Sequence, residues 1–127
     1  MKKLCLMLLC GVLAMATHVP PAWAIKQFQD QFHAKYAGEK ADASFVALVK
    51  KTAKCNVCHL GKKKKDRNAY GQELSKLLDK KADKKDVKKI REALDKVAKM
   101  HLDPEDEKSP TFGDLIKAGK LPGGEIK

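Results

Sequence analysis

Cys55-Asn56-Val57-Cys58-His59 constrains this 127-residue chain more than any other stretch. Two thiols separated by two residues sit on one turn, at a separation suited to adding across the two vinyl groups of a single porphyrin. The histidine that follows is then carried to the iron, where its neutral imidazole becomes the proximal ligand. C-x-x-C-H is the attachment pattern of one covalently bound c-type haem, with Cys55 and Cys58 holding the ring and His59 on one face of the iron.

The N-terminus supplies a matching compartment. Residues 1–24 read as a secretory leader: Lys2 and Lys3 give a positive start, 4–16 is an uncharged apolar run, and Ala22-Trp23-Ala24 is an A-x-A cleavage site. That run is shorter than the roughly 20 residues a membrane-spanning helix needs, so cleavage after Ala24 is expected in preference to a retained anchor. Lipid attachment at Cys10 fits poorly, because Leu9 before it is not small. Cys5 and Cys10 leave with the leader, so Cys55 and Cys58 are the only cysteines of the mature chain. No disulfide framework remains to staple the fold. The expectation is a periplasmic or otherwise exported protein. Loss of Lys2 and Lys3, with no acidic residue in the leader, takes the formal net charge from +11 to +9.

The pattern of apolar residues predicts an all-α chain. Over 41–54, Phe45, Val46, Leu48, Val49 and Ala53 recur at helical spacing, with Asp42 or Ser44 as N-cap, and this helix runs straight into the haem motif. A second helix is expected over 69–80 around Leu74, Leu77 and Leu78. A third, over 84–101 with Asp83 as N-cap, carries Val87, Ile90, Leu94, Val97 and Ala98 on one stripe. Pro104 stops it, and a short helix over 111–118 ends at Gly119. Nothing alternates with period two, so no sheet is expected. Ahead of these, Phe28, Phe32 and Tyr36 mark 25–41 as either a short amphipathic helix docked on the body or a loose arm. The domain limits follow: leader 1–24, N-terminal segment 25–41, haem domain 42–121, tail 122–127.

A helix leading into Cys55-x-x-Cys58-His59, two further helices, a loop and a closing helix together resemble the small monohaem bacterial cytochromes c of class I. Asn68-Ala69-Tyr70-Gly71 is similar to the Asn-x-Tyr/Phe-Gly segment that follows C-x-x-C-H in many bacterial haem domains. The resemblance covers 42–121. It implies a cytochrome c-like helical domain around one haem, a partly exposed haem edge, electron transfer as the activity, and a methionine on the far side of the iron. Met100 is the only methionine of the mature chain and lies downstream of the motif, before the last helix. The family's methionine normally sits in a loop after a proline, whereas Lys99-Met100-His101 falls at the end of an expected helix. On that helix His101 would lie on the Leu94/Val97/Ala98 stripe, with Met100 at its flank. Met100, His101, His33 and an open site all stay in contention for the distal position.

Other uses of the two cysteines fit less well. A thioredoxin-like pair needs a strand-to-helix turn, and a zinc site needs four ligands where the mature chain offers only His33, His59 and His101 beside the thiols. Lys62, Lys63, Lys64 and Lys65, followed by Arg67, begin three residues after His59. Such a run is either a solvated loop or a surface that steers an acidic redox protein to the haem edge. Nucleic acid fits poorly with export and with the few grouped aromatics. The basic residues between Lys80 and Lys99 alternate with Asp83, Asp86, Glu92 and Asp95 and read as a solvated helix face. No catalytic set stands out. A monomeric carrier of single electrons is expected, with a haem-based sensor or small-ligand binder as the alternative.

Overall fold

The computed structural model describes residues 23–126. Apart from Trp23 and Ala24, the expected leader lies outside them. Five α-helices are present among the described residues: α1 (Trp23–Tyr36), α2 (Ala43–Ala47), α3 (Ala69–Leu77), α4 (Val87–Ala98) and α5 (Phe112–Lys117). Two isolated bridges, His59 with Arg67 and His101 with Thr111, are the only extended pairings among the described residues, so they form no strand. The described residues are all-α, and no helix among them is long and apolar enough to cross a membrane.

Of the two forms open to the N-terminal segment, the structure has the docked helix. Phe32 on α1 is 2% exposed. The Tyr36 hydroxyl donates to the Leu94 carbonyl (3.3 Å), and Arg91 Nε donates to Gln31 Oε1 (2.9 Å), so α1 lies along α4.

The helix expected over 41–54 is broken into three kinds of turn. Asp42 starts it, its carboxylate accepting from the Ser44 and Phe45 N–H groups (2.9 and 3.1 Å). After α2 the winding opens into a π-helical segment, Leu48–Ala53, where the Lys54 N–H reaches back five residues to the Val49 carbonyl. It then tightens into a 3₁₀ turn, Lys54–Val57. Residue-level periodicity cannot register this change of pitch, because the apolar positions still fall on one side.

The third helix is shorter than expected at both ends. Asp86, not Asp83, caps α4, accepting from the Lys89 N–H (2.9 Å). Asp83 is instead buried in the α3–α4 connection, where it accepts from the Asp79 N–H (2.7 Å) and pairs with Lys89 Nζ (2.8 Å). At the far end α4 stops at Ala98, so Met100 and His101 lie in irregular chain and the stripe argument for His101 fails. The helix expected over 69–80 likewise stops at Leu77.

Packing against α1, α3 and α5 is what holds α4. Its face of Ile90, Ala93, Leu94 and Val97 is buried. Burial of each large side chain there contributes on the order of 1.5–3 kcal/mol, against about 1 kcal/mol for its N-cap. Tyr70 sits edge-on between Phe32 and Phe112 at ring separations of 5.9 and 5.4 Å. Thr111 and Asp114 form a capping box on α5, which Gly119 ends at a φ of 72°. The residues after it do not all hang free. Leu121 and Pro122 are buried, and Gly123 lies so close to Asn68 that a Cβ would meet its Nδ2 at 2.0 Å.

Candidate functional site

The motif is held by backbone geometry on one side and by a single asparagine on the other. Lys54, immediately before Cys55, has a φ of 49°, a left-handed conformation that a side-chain-bearing residue seldom adopts. It joins the π-helical segment to the 3₁₀ turn. Beyond it the Cys58 and His59 N–H groups both donate to the Cys55 carbonyl (3.2 and 3.1 Å), closing the turn that carries both thiols.

Asn68, only 4% exposed, fastens that turn to α3. Its Nδ2 donates to the Asn56 and Val57 carbonyls (3.2 and 3.0 Å), and its Oδ1 accepts from the Gly71 N–H (2.9 Å) as the N-cap of α3. The Asn68 N–H in turn donates to the Cys58 carbonyl (3.1 Å). Gly71 is required for space: a Cβ there would stand 2.0 Å from the Cys58 carbonyl oxygen. The Asn-x-Tyr-Gly segment thus acts as the clasp of the motif.

Cys55, Cys58 and His59 share the wall of one largely apolar cleft that opens to solvent. Its other walls come from Phe28, Gln29 and Phe32 on α1, Leu74 and Leu78 from α3 and the residue beyond it, and Ile90 and Leu94 on α4. Both cysteines are free thiols. Burial, helped by the neighbouring Cys55, pushes the Cys58 thiol up to about 12. That is opposite to the activated thiolate of a thiol–disulfide catalyst.

His59 is 9% exposed, and its Nδ1 has no hydrogen-bond partner. Burial is the main influence lowering its pKa; the Asp66 carbonyl opposes this, while Arg67, Lys80 and Lys64 add to it. The imidazole is therefore held neutral, the form that donates a lone pair to a metal. Among the described residues no three His, Cys, Asp or Glu side chains converge as a chelating cluster. Two thiols and one neutral imidazole on an apolar cleft fit a planar apolar ring bound through its edge and its metal. They fit a bare ion poorly.

The distal candidates lie elsewhere. Met100 packs half-buried against the core, its N–H donating to the Val97 carbonyl and its own carbonyl accepting from Phe112 (3.0 Å each). The His101 Nδ1 lies 2.6 Å from the Ser109 carbonyl. The His33 ring meets Phe32 edge-on at 6.3 Å, and its Nε2 is buried without a partner. None of the three is on the cleft wall, which carries His59 as its only imidazole and no thioether. Lys62, Lys63, Lys64 and Lys65 form an exposed loop, closed by the Leu60 N–H donating to the Asp66 carbonyl (2.9 Å).

Sequence reasoning missed several wall residues. Lys80, read as part of a solvated helix face, borders the cleft because α3 ends before it; Lys54 and Arg67 border it too. The clasp residues were visible as a motif, but their role was not. Compared with known proteins, the chain matches no family model, no curated protein and no solved structure.

Proposed function

We propose that this protein is an exported monohaem c-type cytochrome that carries single electrons between redox partners. The observation that supports this reading most is the placement of Cys55, Cys58 and His59 together on the wall of one apolar cleft. Cys55 and Cys58 would hold the haem through thioether bonds, and His59 would ligate its iron. When bound, the haem supplies reversible one-electron exchange at its iron. Phe28, Phe32, Leu74, Leu78, Ile90 and Leu94 exclude water from the ring. The exposed loop of Lys62, Lys63, Lys64 and Lys65 steers an acidic redox protein toward the motif, which raises the on-rate more than the affinity. The chain acts as a monomer and performs no catalysis of its own.

The test is expression with export in a host that matures c-type haems. Denatured protein should keep its haem and give a pyridine haemochrome spectrum with a mass increase of one haem. Cys55→Ala with Cys58→Ala should abolish both. Absence of covalent haem from the wild type would overturn the proposal.

One observation favours a second reading. The cleft wall carries no thioether and no second imidazole, so His59 is the one lining side chain that would ligate iron, as in a haem-based sensor or small-ligand binder. A high-spin ferrous spectrum that converts rapidly under CO would support it. A low-spin spectrum unaffected by CO, and altered in Met100→Ala or His101→Ala, would support the electron carrier.

A further inference from the structure

Among the described residues the cleft wall carries one imidazole, that of His59, which is 9% exposed and has an unpartnered Nδ1. Lys54, Arg67 and Lys80 also border the cleft, but a protonated ammonium or guanidinium has no lone pair to give a metal. A second strong donor for this cleft therefore has to come from somewhere other than its lining side chains.

The backbone of α1 brings a nitrogen to the same wall. Phe28, Gln29 and Phe32 line the cleft, whereas Tyr36, one turn further on, does not and donates its hydroxyl to the Leu94 carbonyl. The share of the wall that α1 supplies thus runs toward the start of the helix. The backbone is already helical at Trp23, and Ile25 stands three and four positions before Phe28 and Gln29, the spacings that share one helix face. At a rise of about 1.5 Å per residue, its nitrogen lies about 4.5 Å from Phe28 along the axis. In the precursor that nitrogen is a peptide amide. Cleavage after Ala24 would turn it into the α-amino group of the mature chain. A nitrogen in the first turn has no partner within its helix, so no helical hydrogen bond has to break for it to bind elsewhere. Further along, the helix is held on α4 by the Lys35–Asp95 pair (2.7 Å) and the Arg91–Gln31 bond (2.9 Å). An α-amino group also loses its proton near about pH 8, roughly two units below a lysine side chain. The positive end of a helix dipole favours the neutral amine further.

We propose that the α-amino group of Ile25, created by leader cleavage, is the second axial ligand of the haem iron, given from the α1 wall of the cleft. This rests on the haem reading above and on cleavage after Ala24, and it supplies the donor that the lining side chains lack. The amine releases one proton to solvent and gives its lone pair to the iron, with no change of oxidation state. The ligand exists only once the leader has been removed, so the iron site is completed after export and not in the precursor.

The purified holoprotein tests this. N-terminal sequencing should start at Ile25, and the spectrum should be low-spin, without the near-infrared band of a methionine–iron bond. Met100→Ala, His101→Ala and His33→Ala should leave it unchanged. Inserting Ala-Glu-Ala-Ala between Ala24 and Ile25 adds about 6 Å of helix and carries the amine away from the cleft. That variant should keep covalent haem, turn high-spin and gain rapid CO binding. Should it fail to mature, the reactivity of the wild-type amine still decides. Transamination by pyridoxal phosphate followed by oxime tagging should label the N-terminus slowly in the holoprotein and readily in Cys55→Ala with Cys58→Ala. A different N-terminus, a high-spin wild type or an insertion variant that stays low-spin would each overturn the assignment while leaving the haem reading intact. So would equal labelling with and without haem, or loss of the low-spin spectrum in any of the three single variants. A wild type without covalent haem would remove the haem reading itself, and this inference with it.

Discussion

At the scale of single residues, Gly71 and Asn68 decide whether the motif can present its thiols. Gly→Ala inside a helix ordinarily gains about 0.5–1 kcal/mol. At Gly71 the new methyl would collide with the Cys58 carbonyl at 2.0 Å, so Gly71→Ala should instead lose on the order of 1–3 kcal/mol, by overpacking against backbone. Denaturant midpoints and covalent haem yield should fall together. Asn68→Ala removes a cap worth about 0.5–2 kcal/mol and strands the buried Val57 carbonyl, for a total loss above about 2 kcal/mol. Asn68→Asp separates the two roles, because aspartate still caps α3 but cannot donate to the motif. If Asn68→Asp matched the wild type in urea, the clasp would reduce to an ordinary N-cap.

At the scale of elements, the α3–α4 connection depends on Asp83. The Lys89 ammonium, followed by the Asp79 N–H, holds its carboxyl below the usual 3.8. A folded-state pKa below the unfolded one means stabilisation that is complete well above 3.8 and is lost as pH falls through the folded value. Asp83→Asn should therefore lower stability at neutral pH and flatten the acid limb of the stability curve. Urea midpoints between about pH 6 and pH 2.5 measure both, and an unchanged acid limb would sink the idea. The elements also mark the limits of sequence reading. The α4 stripe was legible because burial on one face repeats at a fixed interval. Its ends were not, since Asp83 and Asp86 offer the same capping chemistry three residues apart and only the fold chooses between them. The π-helical segment before Cys55 left no trace for a similar reason: a wider turn is set by i→i+5 bonding, which apolar spacing does not encode. The gathering of Cys55, Cys58 and His59 was legible because their spacing alone keeps them on one turn. The opposite wall, from α1 and α4, depends on contacts between residues about sixty positions apart.

At the scale of the whole molecule, four of the basic residues gather on one loop. Lys62, Lys63, Lys64 and Lys65 project from a loop that begins and ends beside the motif. Replacing all four by glutamine should slow electron exchange with an acidic redox protein several-fold at low ionic strength. The difference should vanish near 0.5 M salt, where the Debye length falls to a few ångströms. Stopped-flow rates across a salt series test this, and equal rates at low salt would assign the loop to solvation alone. The cleft itself has a consequence for assembly. Its near wall is complete within a stretch of chain running from the motif to α3, whereas Phe28 and Phe32 meet Ile90 and Leu94 only after a long loop has closed. Bringing such distant segments together is the entropically slow part of folding. On the haem reading, the thiols would thus be reachable for attachment before the far wall arrives, and the cleft would close afterwards. A ring bonded at Cys55 and Cys58 would then become the surface on which α1 and α4 meet, so maturation and folding would form one ordered event.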